Sequence, residues 1–158
     1  DGQVRFNAVV ALGNLPPAIQ INWTKLEALL QTSDDDGLKQ AVILTVAARH
    51  KELGDQILMP FINSSSRMLR YSAAMGLIYY GKEEVRPVLQ DILSLGYENR
   101  DPNELNGAQA EALKVNVLTH IGKAKAKYLI GLAESSSERD SNIKVSIKAK
   151  EVVNLLKN

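Results

Sequence analysis

The chain has no cysteine, which excludes disulfide frameworks, thiolate nucleophiles and every cysteine-ligated zinc or iron–sulfur site. Aromatic residues make up only 5% of it. Strand proteins ordinarily carry more, because large rings fit a pleated, half-buried surface. No apolar run approaches the ~20 residues of a bilayer span and no signal peptide leads the chain, so a soluble chain without membrane insertion is expected. The formal net charge is only +1, too small to imply a nucleic-acid or lipid surface by itself. The signatures HExxH, GxSxG and GxGxxG and the phosphate-binding P-loop are missing, and His50 and His120 are the only histidines. No catalytic residue, metal site or cofactor is therefore expected.

What the chain has is repetition. The stretch Asp1-x-x-Val4-Arg5-x-x-Ala8-x-x-Ala11-Leu12-Gly13 returns in weakened form as Leu38-Lys39-Val42-Val46, Leu69-Arg70-Ala73-Leu77, Leu113-Lys114-Val117-Ile121-Gly122 and Val145-Ala149-Val153. The anchors at 4, 38, 69, 113 and 145 are separated by 34, 31, 44 and 32 residues, the range of helical solenoids. Within each copy apolar residues fall at i, i+4, i+7 and i+8, one face of an α-helix and not the period of a strand. Three residues before the anchors stand Asp1, Asp35, Ser66, Ala110 and Asn142. Four of these can accept a hydrogen bond from the free N–H groups of a first helical turn.

This pattern resembles the second helix of HEAT-like repeats, including the short-repeat class of the phycobilin lyase subunits. The resemblance implies an all-α, right-handed α-α superhelix of about nine helices in about five repeats, the first incomplete, over a single domain 1–158. Copy two departs from it by ending in Arg49-His50 without the glycine, and copy five by carrying Ser146 for the basic residue. Because the first copy begins inside a second helix, the chain reads as an excised piece of a longer protein, with the Val4, Ala8, Leu12 face left uncovered.

Taken in order, helices are predicted over about 2–15, 23–31, 36–49, 52–63, 67–80, 83–95, 108–122, 124–134 and 142–156. Leu15-Pro16-Pro17 stops the first, and Pro60 is expected to disturb the fourth. Trp23 reads as a packing anchor. Residues 96–107, GYENRDPNELNG, form a polar insertion that explains the long spacing, of the kind that at one edge of a solenoid often serves binding. Residues 1–107 hold 10 basic and 13 acidic side chains, against 9 and 5 in 108–158, so the C-terminal third is mildly basic.

Two sets of residues are candidates for function. The basic residues after the anchors, Arg5, Lys39, Arg70 and Lys114, would form a row about 10 Å apart, the usual helix-to-helix distance. Such a row could grip an acidic peptide or a phosphate backbone, but the favoured reading is structural: each pairs with an acid near a neighbouring helix cap, such as Asp1 or Asp35. The second set lies two and six residues beyond the first three anchors: Phe6, Val10, Leu44, Tyr71 and Met75. With Arg70 and Tyr79 they make an apolar stripe for a partner helix or peptide. Asp34-Asp35-Asp36 lacks the spacing of a calcium loop and reads as turn and cap. Asn22-Trp23-Thr24 and Asn63-Ser64-Ser65 match the glycosylation sequon as well as helix caps. The lysines at 123, 125, 127, 144, 148 and 150 read as a solvated face.

The expectation is a non-catalytic protein–protein interaction scaffold, a module of a larger protein or complex, binding a protein or peptide. The alternatives are a nucleic-acid-binding HEAT-like module, which the acidic balance of the first 107 residues opposes, and a non-catalytic appendage or lyase-like subunit of a bacterial enzyme.

Overall fold

The computed structural model describes residues 2–99 and 101–158. Asp1, with its expected roles as helix cap and as partner of a repeat cation, lies outside the described residues, as does Arg100 in the polar insertion. Among the described residues all regular structure is helical. The chain divides into two compact units, 1–80 and 81–158.

In the first unit, α1 (Gly2–Gly13), α3 (Asp36–Arg49) and α5 (Arg67–Leu77) correspond to the repeated stretch, while α2 (Trp23–Thr32) and α4 (Gly54–Leu58) lie between them. Helix α1 packs on α3 and α3 on α5; α2 packs on α3, and α4 on both α3 and α5. The fully buried side chains include Val42, Ile43 and Val46 of α3, Leu58 of α4, and Ala73, Ala74 and Leu77 of α5. Small residues set the approach of the stacked helices. A Cβ added at Gly76 would lie 2.7 Å from Ala47 Cβ and 3.2 Å from Leu58 Cδ1. On α1, Val4 is 64% exposed and Ala8 is also exposed.

Local signals account for the helix ends. Asn22 Oδ1 accepts from Lys25 N (3.2 Å) and Asp35 Oδ1 from Leu38 N (3.0 Å), each satisfying an orphan N–H of a first turn. Ser66 occupies the N-cap position of α5, but its side chain makes no capping bond. Proline at 60 has the expected effect: α4 stops at Leu58 and the chain continues to Asn63 as a 3-10 helix.

The C-terminal end of α1 is held by Arg49, the residue that breaks the repeat pattern. Its guanidinium donates to four carbonyls, Leu12 (3.0 Å), Leu15 (2.6 Å), Pro16 (3.1 Å) and Ile19 (3.0 Å). It thus satisfies the acceptors left where the helix runs out and places a cation at the negative end of the helix dipole. Beside it, Trp23 stacks on the buried His50 ring, with centroids 4.3 Å apart and planes at 17°.

In the second unit, α6 (Arg86–Leu93) packs on α7 (Gly107–Lys123) and on α8 (Ile130–Arg139), while α9 (Ile143–Lys157) packs on α7 and α8. Its core includes Leu89, Ile92, Val117, Leu118, Ile121, Leu129, Ala133, Val145 and Ala149. Helix α7 starts at Gly107, a turn earlier than a cap at Ala110 allows. Asn106 and Gln109 form a reciprocal capping box at 2.9 Å each way, worth more than an alanine at that position.

The eighth helix is shifted from its predicted span of 124–134. Lys125 adopts φ 49° and Ala126 N donates to Ile121 O (3.0 Å), the bond that closes a helix by reversing it. A 3-10 turn over Lys127–Leu129 follows, and α8 then runs to Arg139, through three serines beyond the predicted end at 134. Burial of Leu132, Ala133 and Ser136 along one face outweighs the weak helix propensity of serine.

Candidate functional site

Stacking of α1, α3 and α5 fixes where equivalent positions point. The residue five beyond each anchor, Val9, Ile43 or Ala74, is buried, and Val9 O accepts from Thr45 Oγ1 of the next stacked helix (3.1 Å). The residue six beyond, turned 100° further round the helix, faces outward: Val10 is 40% exposed, Leu44 51%, and Met75 half-buried. Tyr79, in the 3-10 turn Ile78–Tyr80 that follows α5, is 45% exposed. Val10, Leu44, Met75 and Tyr79 therefore remain as an outward apolar row on the first unit.

The residues two beyond the anchor behave differently, which corrects the predicted stripe. Tyr71 is only 4% exposed and cannot offer its ring to a partner, and Phe6 is half-buried. The position lies at the edge of the outward arc, turned toward the neighbouring stacked helix. From it Gln40 Nε2 donates to Ser72 Oγ of α5 at 2.9 Å. Arg70 is also engaged internally. Its Nη1 donates to Ser64 O (2.6 Å), and the guanidinium lies 5.6 Å from the Tyr71 ring centroid. Of the other repeat cations in this unit, Arg5 is exposed and Lys39 half-buried.

The fourth repeat cation, Lys114, stands at the centre of a buried polar network in the second unit. Its Nζ donates to Asp140 Oδ2 at 2.8 Å, with side chains only 5% and 4% exposed. The same ammonium lies 4.2 Å from the Tyr97 ring centroid, and Tyr97 Oη donates to Asp140 Oδ1 at 2.5 Å. Asn142 N adds a third bond to the carboxylate (2.9 Å). Asn142 also caps α9, accepting from Lys144 N and Val145 N, while its side-chain amide donates to Glu111 Oε2 (2.7 Å).

Burial works to raise the pKa of Asp140, but the hydrogen bonds from Lys114, Tyr97 and Asn142, with the ammonium charge, outweigh it and hold the carboxyl below its usual 3.8. Burial first, then the bond to Asp140 and the charges of Asp140 and Glu111, push the Tyr97 phenol well above its ordinary value. The tyrosine therefore stays a neutral donor and the aspartate an ionised acceptor.

The sequence pattern pointed to Lys114 but not to its partners. Tyr97 is the second residue of the polar insertion and Asp140 begins the α8–α9 turn, positions without periodicity. The residues also line an open groove of about 790 Å³ bordered by Gln90, Leu93, Leu132 and Ser136. No group of three or more histidine or acidic residues that could hold a metal ion occurs among the described residues, and no helix there is long and apolar enough to cross a membrane. The chain matches no protein-family model, no curated protein and no solved structure.

Proposed function

We propose that the chain is a non-catalytic protein-binding scaffold built from HEAT-like repeats arranged as a right-handed α-α superhelix, and that it docks a protein segment along the outward row Val10, Leu44, Met75 and Tyr79. The observation that carries the reading is that row. Three stacked helices place medium and large apolar side chains at one equivalent, outward position, where a surface helix ordinarily carries charge. Adjacent apolar side chains on one face suit an amphipathic helix or extended peptide, with Met and Tyr able to adapt to its shape. The superhelix is supported by the packing of α1 on α3 on α5 in one unit and of α7 on α9 in the other, the side-by-side stacking that defines such repeats. The repeat cations Arg70 and Lys114 serve the fold on this reading, since each bonds a carbonyl or carboxylate of its own unit.

The test is site-specific crosslinking. A photoreactive residue at Leu44 is compared with one at Glu84, an exposed position away from the row, in the host cell. A discrete partner adduct specific to position 44 is expected. Purified partner then binds Leu44→Asp at least tenfold more weakly in calorimetry, since a charge at the centre of an apolar contact is desolvated unpaired. Equal adducts at both positions, or unchanged binding by Leu44→Asp, would remove the row as the docking surface.

A further inference from the structure

The outward row of the first unit belongs to a wider face. Positions one before and two, six and ten beyond each anchor fall within about 80° of one another around a helix. On α1, α3 and α5 and the turns that follow them, none of these positions carries a charged residue, although 23% of the chain is charged. The charges of these helices, Arg5, Asp36, Lys39, Arg49, Arg67 and Arg70, all stand elsewhere. Burial does not account for this. Met68 is 39% exposed beside Val10, Leu44 and Tyr79, and Ala48 is exposed as well. Nor does helix packing forbid charge there, because α7 and α9 place Lys123, Lys144 and Glu151 at the same positions, all of them exposed. The uncharged face is therefore particular to the first unit, on a side where a surface helix ordinarily carries charge.

The spacing of the row selects the shape of what covers it. Stacked helices lie about 8–10 Å apart, and the close approach of Ala47 to Gly76 holds α3 and α5 at short range. Val10, Leu44 and Met75 thus offer one apolar side chain per step of that size. Along an α-helix the same face returns after seven residues, about 10.5 Å, and a moderately oblique crossing shortens this to the step. Along an extended strand, side chains on one face recur at about 6.6 and 13 Å, both of which miss it.

We propose that this face binds an amphipathic α-helix of a partner protein, laid across α1, α3 and α5, whose contacting side carries aliphatic residues seven apart and no charge. The inference rests on the reading of the row as the docking surface and adds the shape and chemistry of its occupant. Helix-in-groove recognition buries such a seam of anchors, here centred on Leu44. A charged side chain of either sign on the contacting side would lose its water without gaining a counter-charge.

The experiment titrates the isotopically labelled full chain, followed by amide NMR, with a capped helical peptide. The peptide carries Leu at every seventh position, Ala beside it, and Glu and Lys on its outer side. One comparison peptide has proline at a central outer position, which breaks the helix but keeps every contacting residue; another has Glu for the central Leu. Saturable shifts are expected around Val10, Leu44 and Met75, with both comparison peptides binding roughly tenfold more weakly or worse. Affinity should change less than about twofold between low and high salt. Leu44→Asp and Leu44→Lys should weaken binding alike, roughly tenfold or more, at an unchanged melting temperature. Equal binding of the proline peptide would overturn the proposal in favour of an extended occupant, and tighter binding by Leu44→Lys or a steep salt dependence in favour of a charged one. The same shifts produced by phosphatidylcholine vesicles, or by raising the protein concentration alone, would assign the face to lipid or to a second copy, and silence toward the helical peptide would also sink the idea. Each of these results can coexist with a specific crosslink at Leu44, and failure of that crosslink leaves the peptide affinities standing.

Discussion

At position 76 there is room for a hydrogen and nothing larger. The Cβ of an alanine there would approach Ala47 Cβ to 2.7 Å, closer than carbon atoms tolerate, so α3 and α5 would have to separate. Gly76→Ala is therefore expected to destabilise by about 1–3 kcal/mol through overpacking, despite the better helix propensity of alanine. Ala73→Leu, at a fully buried site, should act likewise, while Ala48→Leu at an exposed one should stay within about 0.5 kcal/mol. Thermal melts of the three variants check the assignment of faces.

The buried pair in the second unit gives the other residue-scale expectation. Asp140→Asn leaves the Lys114 ammonium buried without its counter-charge and should cost about 3–5 kcal/mol, whereas pairing it with Lys114→Met should recover most of that loss. The pH dependence follows from the depressed carboxyl pKa. Stability from Asp140 is fully present above the unfolded value near 3.8 and is lost as pH falls through the lower folded value. Urea unfolding from neutral pH to about pH 2.5 should accordingly show wild type converging on Asp140→Asn only below that window. A constant gap down to the lowest pH would mean that the carboxyl does not carry the linkage.

Among elements, those with a strong period were legible and those without were not. Helices α1, α3, α5, α7 and α9 follow from apolar residues at one-face spacing, and Asp35 and Asn142 announce the starts of two of them. The shift of α8 was hidden because three consecutive serines resemble a linker and because Lys125, not glycine, takes the left-handed conformation that ends α7. The apolar row was half legible. Counting from the anchors found Val10, Leu44 and Met75, but two and six residues beyond an anchor are only 40° apart in projection, and pattern alone does not tell which edge the neighbouring helix covers. The groove was not legible, since Tyr97, Ser136 and Asp140 are joined only by folding. Arg49 is the element-scale test. Its four bonds pin α1 and the Leu15–Ile19 loop, so Arg49→Ala is expected to cost about 2–3 kcal/mol. It should also speed amide hydrogen exchange in residues 12–19 while α5 is unaffected. Uniform exchange changes across the unit would assign Arg49 a different role.

For the molecule as a whole, the distribution of burial decides where it can be divided. The repeat pattern predicts that a fragment ending at residue 95 stays helical, yet such a cut would part α6 from α7 and α8, against which it packs. The boundary after Tyr80 instead leaves each compact unit whole. Val42, Ile43, Val46, Leu58 and Leu77 make a fully buried core for one unit, and Leu89, Ile92, Leu118, Ile121 and Leu129 for the other. On the proposed repeat reading, stability is the sum of such local interfaces rather than the property of one central core. Fragments 1–80 and 81–158 are therefore each expected to show helical circular dichroism and a cooperative melt. The 1–95 fragment should match 1–80 in stability, with residues 81–95 exchanging their amides freely. If 1–80 is unfolded while 1–95 is cooperative, α6 belongs with the first unit. If neither fragment folds, the chain depends on a core that local repeat packing does not describe.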